Sequence, residues 1–433
     1  MNSGRIRRNP RGIAKIHEKI AELNGLTFPH TLYHYTSSTV LDILLKSKQF
    51  WATNIFYLND AQEYYKGISS LSKLFADNSE YLEVLEDIKQ DNGCSYEGIF
   101  SVSFSQQEDN LHQWITYAKQ GGVCIGLDFY LLKNYKLVLE GMKNTYATSI
   151  DCCKVLAKAR YLEDKPNEWM KAINEAINEE TKSSDDGSGG RIEEAIVDDG
   201  KQRIKDYLRL VASYCKDSAF KIEDEYRSVF FPLFSLGFDM PKLFYYVTPA
   251  GIIRPYVKVG FLETDSSKNL SNLPIKSITI GPAGNQQSVF DSVVHRVRFG
   301  QPNVMDYWKK KEGIGFKNNF MDYFFGSLQD YAEQNASRVG EKEIKKVYQE
   351  LFEFWRSVHK KYSDTDKSKL SNKDYFPGED ECVQLIRDKN ADWFAKDDSG
   401  VDRSAEIIKH IKKNHFFTKE GIWIKKSQIP YVY

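Results

Sequence analysis

Three short segments set polar side chains two residues apart, the spacing that puts them on one face of a β-strand. In Leu32–Tyr33–His34–Tyr35–Thr36 this period groups Leu32, His34 and Thr36, so His34 either fills a polar slot in a core or lines a cleft. In Ser101–Val102–Ser103–Phe104–Ser105 it sends three hydroxyls to one side and Val102 and Phe104 to the other. A buried face with three hydroxyls needs hydrogen-bond partners for each, so this strand either faces water at an edge or borders a polar site. In Glu223–Asp224–Glu225–Tyr226–Arg227 the period sets Glu223, Glu225 and Arg227 on one face in steps of about 7 Å. That trio is either a solvated ion-paired surface or a group able to stabilise a cation developing at a sugar carbon and to hold its hydroxyls.

Helical spacing fills the intervals. Ile13, Ile16, Ile20 and Leu23 mark one face of a helix over about 12–23, and Ser37–Ser38–Thr39 caps a second that carries Val40, Ile43, Leu44 and Leu45. Further helices are expected over 111–119 and 286–297, and further strands over 50–53, 99–105, 123–128, 222–231, 256–261 and 275–280. Helix and strand alternate without a clean βαβ repeat, which predicts an α+β mixed sheet. Residues 154–218 read as mainly helical, broken by the loop-forming run Ser183–Ser184–Asp185–Asp186–Gly187–Ser188–Gly189–Gly190. Residues 300–415 read as helical, aromatic and charged, and Gly421–Tyr433 reverts to a strand.

Composition narrows the function classes. At 433 residues the chain exceeds a single small module, and its 60 basic and 60 acidic residues cancel, which removes any global electrostatic case for nucleic acid or membrane. The six cysteines (Cys94, Cys124, Cys152, Cys153, Cys215, Cys382) lack CxxC spacing and are expected as reduced thiols. No apolar run approaches the ~20 residues of a membrane span, and no apolar stretch follows Arg5, Arg7, Arg8, Arg11 and Lys15, so a cytoplasmic location is expected. Neither GxGxxG nor GxxxxGK[ST] nor HExxH occurs, which argues against a Rossmann dehydrogenase, a P-loop ATPase and a metal-dependent site.

The order of the blocks adds a resemblance. Leu32–Ser37, Phe50–Thr53 with Leu58–Asn59–Asp60 and Glu63, Ser103–Phe104–Ser105, Trp114 with Tyr117–Ala118, and Gly122 with Gly126–Leu127–Asp128 follow one another. Phe220, Glu223, Glu225 and Arg227, then Ile253–Tyr256, Ile278–Pro282 and Lys426–Tyr431 come after them. Together they resemble a large bacterial family catalogued as a domain of unknown function, number two thousand nine hundred and seventy-one, itself similar to ADP-ribosyltransferases. The likeness spans roughly 31–150, 219–299 and 416–433, and departs at the end, where many relatives carry an arginine and this chain has Val432.

The resemblance implies an ADP-ribosyltransferase-like mixed sheet with two helical insertions. A basic arm and helix (1–30) precede a core (31–299, with the insertion 154–218), a second insertion follows (300–415), and a terminal strand (416–433) returns to the core. It implies NAD as substrate and no metal, with His34 at the nicotinamide–ribose end, Tyr35 and Thr36 beside it, Ser103 and Ser105 positioning, and Arg227 holding the cofactor. Glu225 is then catalytic and Glu223 faces the acceptor. Trp114 and Tyr117, three apart on a helix, offer a wall for a ring or are ordinary core aromatics. The implied activity is ADP-ribosylation of a macromolecule, nucleic acid or protein, by a toxin-like effector in bacterial competition or antiviral defence, with a neutralising antitoxin protein as partner. Two other readings remain open: a non-catalytic nucleotide- or partner-binding module, and an NAD glycohydrolase. The arginine-rich arm and Tyr307–Trp308–Lys309–Lys310–Lys311 fit either nucleic-acid contacts or solvated surface.

Overall fold

The computed structural model describes residues 10–23, 31–58, 62–90, 98–132, 135–141, 150–151, 156–162, 168–183, 200–230, 242–248, 250–263, 269–300, 302–303, 413–417, 422–427 and 429. The expected arm at 1–9, the loop at 184–190, most of the expected helical stretch 300–415 and the patch Tyr307–Lys311 lie outside them. The chain forms two compact units, Met1–Ile275 with Pro302–Met305, and Lys276–Gln301 with Asp306–Tyr433.

The first unit begins with helix α1 (Pro10–Leu23), strand β1 (Thr31–Thr36), α2 (Ser38–Ser47) and β2 (Phe50–Asn54). The α2 cap is the expected one: Ser37 Oγ accepts from the Val40 amide at 3.3 Å. Helices α3 (Gln62–Leu74) and α4 (Ser79–Gln90) lead to β3 (Phe100–Ser105), α5 (Leu111–Tyr117) and β4 (Val123–Asp128). Short elements follow: α6 (Phe129–Leu132), β5 (Lys136–Leu139), β6 (Ile150–Asp151), β7 (Leu156–Lys158) and β8 (Arg160–Leu162). Then come α7 (Glu168–Ser183), α8 (Gly200–Tyr214), β9 (Cys215–Asp217), a 3₁₀ turn (Ser218–Glu223), β10 (Glu225–Phe230), β11 (Phe244–Val247) and β12 (Ile253–Leu262).

Strand β3 organises this unit. Along one edge it pairs antiparallel with β10 over its whole length, from Glu225↔Ser105 to Phe230↔Phe100. Along the other edge it meets two strands, β1 only at Tyr33↔Ser105 and β2 only at Thr53↔Ser101 and Asn54↔Phe100. Between those contacts β1 turns away to pair with β4, and β2 to pair with β12. The sheet is thus split beside Ser103.

Helices α1, α3, α4, α7 and α8 bury one continuous apolar cluster that includes Ile16, Ile20, Ile68, Leu85, Ile173 and Leu208. Val229 of β10 and Ala157 of β7 join it, so the helices cover the sheet face that also carries Glu225 and Arg227. Burying each such isoleucine or leucine contributes about 1.5–3 kcal/mol. The opposite face is aromatic: Phe50 lies 5.9 Å from Phe104 and 6.1 Å from Phe261 between ring centres, and Phe104 lies 5.1 Å from Phe129. Residues 154–218 are thus more than a helical insertion, because they supply β7, β8 and β9 and the most buried helix of the layer.

In the second unit, β13 (Ile275–Ile280) is followed by α9 (Gln286–Phe299), and β14 (His415–Phe417) and β15 (Trp423–Lys426) come near the end of the chain. The closing segment pairs as a strand, β15 running parallel to β13 with Ser277↔Trp423 through Ile280↔Lys426. β14 adds to it antiparallel. Together with the antiparallel pairings within the first unit, this gives a mixed α+β architecture.

Candidate active site

The acidic cluster is built by a kink. Asp217 starts the 3₁₀ turn by accepting from the Ala219 amide at 2.8 Å, and Asp224 ends it in the left-handed conformation, φ 45° and ψ 53°. Aspartate is among the few residues other than glycine that enter this region at modest cost. Strand β10 starts only at Glu225, so Glu225 and Arg227 share a strand face as expected, while Glu223 lies on the turn. The kink brings Glu223 back beside Glu225 instead of one strand step away.

Lys216 from β9 bridges the two acids, its Nζ lying 2.7 Å from Glu223 Oε2 and 2.6 Å from Glu225 Oε2. Arg227 grips Glu225 as a fork, Nε donating to Oε1 at 2.8 Å and Nη2 to Oε2 at 3.0 Å, and its Nη1 donates to the Ser213 carbonyl at 2.9 Å. All four charged groups are at most 4% exposed. Burial alone would raise the Glu225 pKa; the charges of Arg227 and then Lys216 outweigh it and hold that carboxyl down at about 2. Glu223 also receives Tyr117 Oη, 3.2 Å from both of its oxygens, and His112 Nε2 at 3.2 Å from Oε1. Its carboxylate is surrounded by donors, whereas Glu225 Oε1 accepts from Arg227 alone among the described residues.

His34 occupies the split in the sheet. Its Nδ1 lies 3.0 Å from the Ser103 carbonyl, on the stretch of β3 edge that neither β1 nor β2 reaches. A carbonyl only accepts, so Nδ1 carries the proton and Nε2 presents a lone pair. Burial lowers the His34 pKa, and the bond to Ser103 opposes this only in part, so the ring is neutral. Phe50 and Phe104 hold it edge-on and tilted at 5.5 and 5.8 Å.

The cleft at the split has a volume of about 310 Å³. His34, Tyr35, Thr36, Ser103, Ser105, Tyr117, Glu223, Glu225 and Arg227 all border it, and Trp114 does not. Several of these residues are held by the protein itself. Ser105 Oγ donates to the Glu223 carbonyl at 2.9 Å and accepts from the Gln107 amide, which ties the acidic turn to β3. Tyr35 Oη lies within donating distance of the Gln107 and Glu108 carbonyls and accepts from the Asn110 amide, so it fixes the β3–α5 loop. Arg227 donates to Glu225 and to the Ser213 carbonyl while bordering the cleft. Trp114 is a core residue, 2% exposed, packed on Tyr35 at 4.8 Å with its Nε1 donating to Asp109. Trp51, stacked on Tyr256 at 4.5 Å, also borders the cleft, with Tyr246 and Arg254.

Sequence reasoning missed Lys216, which reads as the end of a surface helix. The available signal was the run Leu208–Cys215, too apolar for a peripheral element. His112 was missed because its partner lies 111 residues away.

Among the described residues no group of three His, Cys, Asp or Glu side chains is arranged to hold a metal ion. No described helix is long and apolar enough to cross a membrane. Cys124 and Cys215 are buried and in no disulfide. Compared with protein-family models, curated proteins and solved structures, the chain matches none, so its resemblance to the family described above rests on the ordered sequence blocks alone.

Proposed function

We propose that the first unit is an NAD-dependent ADP-ribosyltransferase with an ADP-ribosyltransferase-like sheet, acting on a macromolecular acceptor. The observation that carries this reading is that one cleft is bordered by an ionised, buried Glu225, whose Oε1 accepts from Arg227 alone among the described residues, and by a neutral His34 whose Nε2 presents a lone pair. Cleaving the bond between nicotinamide nitrogen and ribose C1 places positive charge on the sugar. A fixed carboxylate stabilises that charge as it develops and accepts from a ribose hydroxyl. Nicotinamide leaves with the bonding pair, and the acceptor nucleophile adds at C1 and gives up a proton. His34 Nε2 suits a second sugar hydroxyl. A cleft of about 310 Å³ sits at the small end of ligand sites, which fits enclosure of one ring and its ribose with the rest of the dinucleotide outside.

Hydrolysis of NAD without an acceptor is a second reading, favoured by one feature. Glu223, expected to activate the acceptor, is engaged by Lys216, Tyr117 and His112. Incubating the full chain with NAD labelled in the adenosine half, with and without cell lysate, tests both. Label transferred to macromolecules supports the transferase and free ADP-ribose the hydrolase. Intact NAD under all conditions overturns the catalytic reading. Glu225→Gln should lower turnover on the order of 10²–10³-fold, with the melting curve recorded alongside to exclude unfolding.

A further inference from the structure

We infer that Lys216 is a positioning residue of this site, a shared counter-ion that keeps Glu223 and Glu225 ionised together and holds Glu225 toward the cleft. The inference rests on the proposed role of Glu225, although its central claim about charge can be measured without it. Two carboxylates bridged by one nitrogen at 2.7 and 2.6 Å are close enough that, in a buried site, one would take a proton if no cation lay between them. Arg227 cannot serve both, since its described contacts go to Glu225 and to the Ser213 carbonyl. The other titratable or charged groups facing the pair are His112 and Tyr117 from α5, on Glu223, and Tyr161 from β8, whose hydroxyl accepts from the Glu225 amide. The Lys158–Asp224 pair borders the turn. Of the basic groups among these, Lys158 is paired with Asp224, and His112 touches Glu223 and not Glu225.

Lys216 is also anchored: β9 pairs in parallel with β8, and the lysine ammonium lies over the Phe220 ring at 5.2 Å. It is the first described strand after the buried helix α8, so the helical layer fixes where the counter-ion stands.

Removing the charge as Lys216→Met should make the glutamate pair bind a proton in the neutral range. Activity that needs ionised Glu225 is then lost at lower pH and recovered as pH rises. The acid limb of the pH–rate profile should move upward by at least about one unit, a loss of about tenfold at a fixed pH below it. The double variant Lys216→Met with Glu223→Gln removes one anion with the cation and should return the limb toward its wild-type position. Glutamate carboxyl carbons labelled with ¹³C and followed by NMR from pH 4 to 8 give the protonation directly, with Glu223→Gln and Glu225→Gln assigning the signals. Both carboxyls remaining ionised at pH 5 in folded Lys216→Met would overturn the inference, as would equal displacement of the limb in the single and double variants. If wild-type protein cleaves no NAD, the functional reading falls while the NMR titration still decides the role of Lys216. If Lys216→Met does not fold, Lys216→Arg provides the second comparison. It restores the charge and should keep the wild-type titration, and a raised glutamate titration in that variant also overturns the inference.

Discussion

Acid should unlock the site at Glu225, and Glu225→Gln isolates how much stability resides there. In the folded protein this carboxyl titrates at about 2 against an ordinary value of 4.5. A depressed folded pKa means that the stabilisation is present above pH 4.5 and is lost as pH falls toward 2. The full difference corresponds to about 3 kcal/mol, of which about 2 kcal/mol is already gone at pH 3. The variant should be less stable at pH 7 by about 3–5 kcal/mol, because Arg227 and Lys216 lose a buried partner. It should also lose about 2 kcal/mol less than wild type between pH 7 and pH 3. Since the chain has two units, a single global unfolding energy is ill-defined. The measurement of choice is hydrogen exchange of the β10 amides, pulse-labelled at each pH and read by mass spectrometry after proteolysis. Parallel pH dependence in the two proteins would refute the reasoning, since the ion pairs would then contribute no more folded than unfolded.

Asp224→Ala should destabilise the first unit by about 1–2 kcal/mol through its left-handed backbone, and Asp224→Gly should cost less; thermal melts of both variants check this. Ser105→Ala should cost about 1–3 kcal/mol by leaving the Glu223 carbonyl and the Gln107 amide short of a partner, read as a lower urea midpoint. His34→Phe preserves ring packing against Phe50 and Phe104 but removes both nitrogens. It should raise the KM for NAD about tenfold, and an unchanged KM would remove His34 from the proposed sugar contact. Ile16→Ala, in the helical layer, should cost about 2–5 kcal/mol by calorimetry.

Periodicity made the individual elements legible. The segments around His34, Val123 and Ile275 fold as the strands expected of them, since each carries its signal within a few residues. The three serines of β3 do share a face, yet their hydroxyls differ in use: Ser105 secures a turn more than one hundred residues away. A partner at that separation leaves no local trace in sequence. Glu223 and Glu225 were visible as acids two apart, but a two-residue period assumes a strand throughout, and the left-handed Asp224 breaks it. Lys216 was concealed by the helical reading of 154–218, which hides the strand that carries it. Nor could sequence show that Glu225 stands at the centre of a buried ion network. Trp114 and Tyr117 had the right spacing to form a wall, and the fold turned one into the core and the other onto Glu223.

The divided edge of β3 has a mechanical meaning as well. Among the described residues the two flanking ribbons, β1 with β4 and β2 with β12, attach to that edge at only three residues of β3, Ser105 at one end and Ser101 and Phe100 at the other. The intervening span of that edge carries neither ribbon, while β10 backs the opposite edge along its whole length, so the freedom left to it is mainly one of twist. A small change in strand twist, the softest deformation of a β-ribbon, would alter the separation of the ribbons without breaking a backbone bond to either. The width of the gap is thereby tied to the winding of one six-residue strand and of β10 beside it, and stiffening either would fix the spacing of the two ribbons.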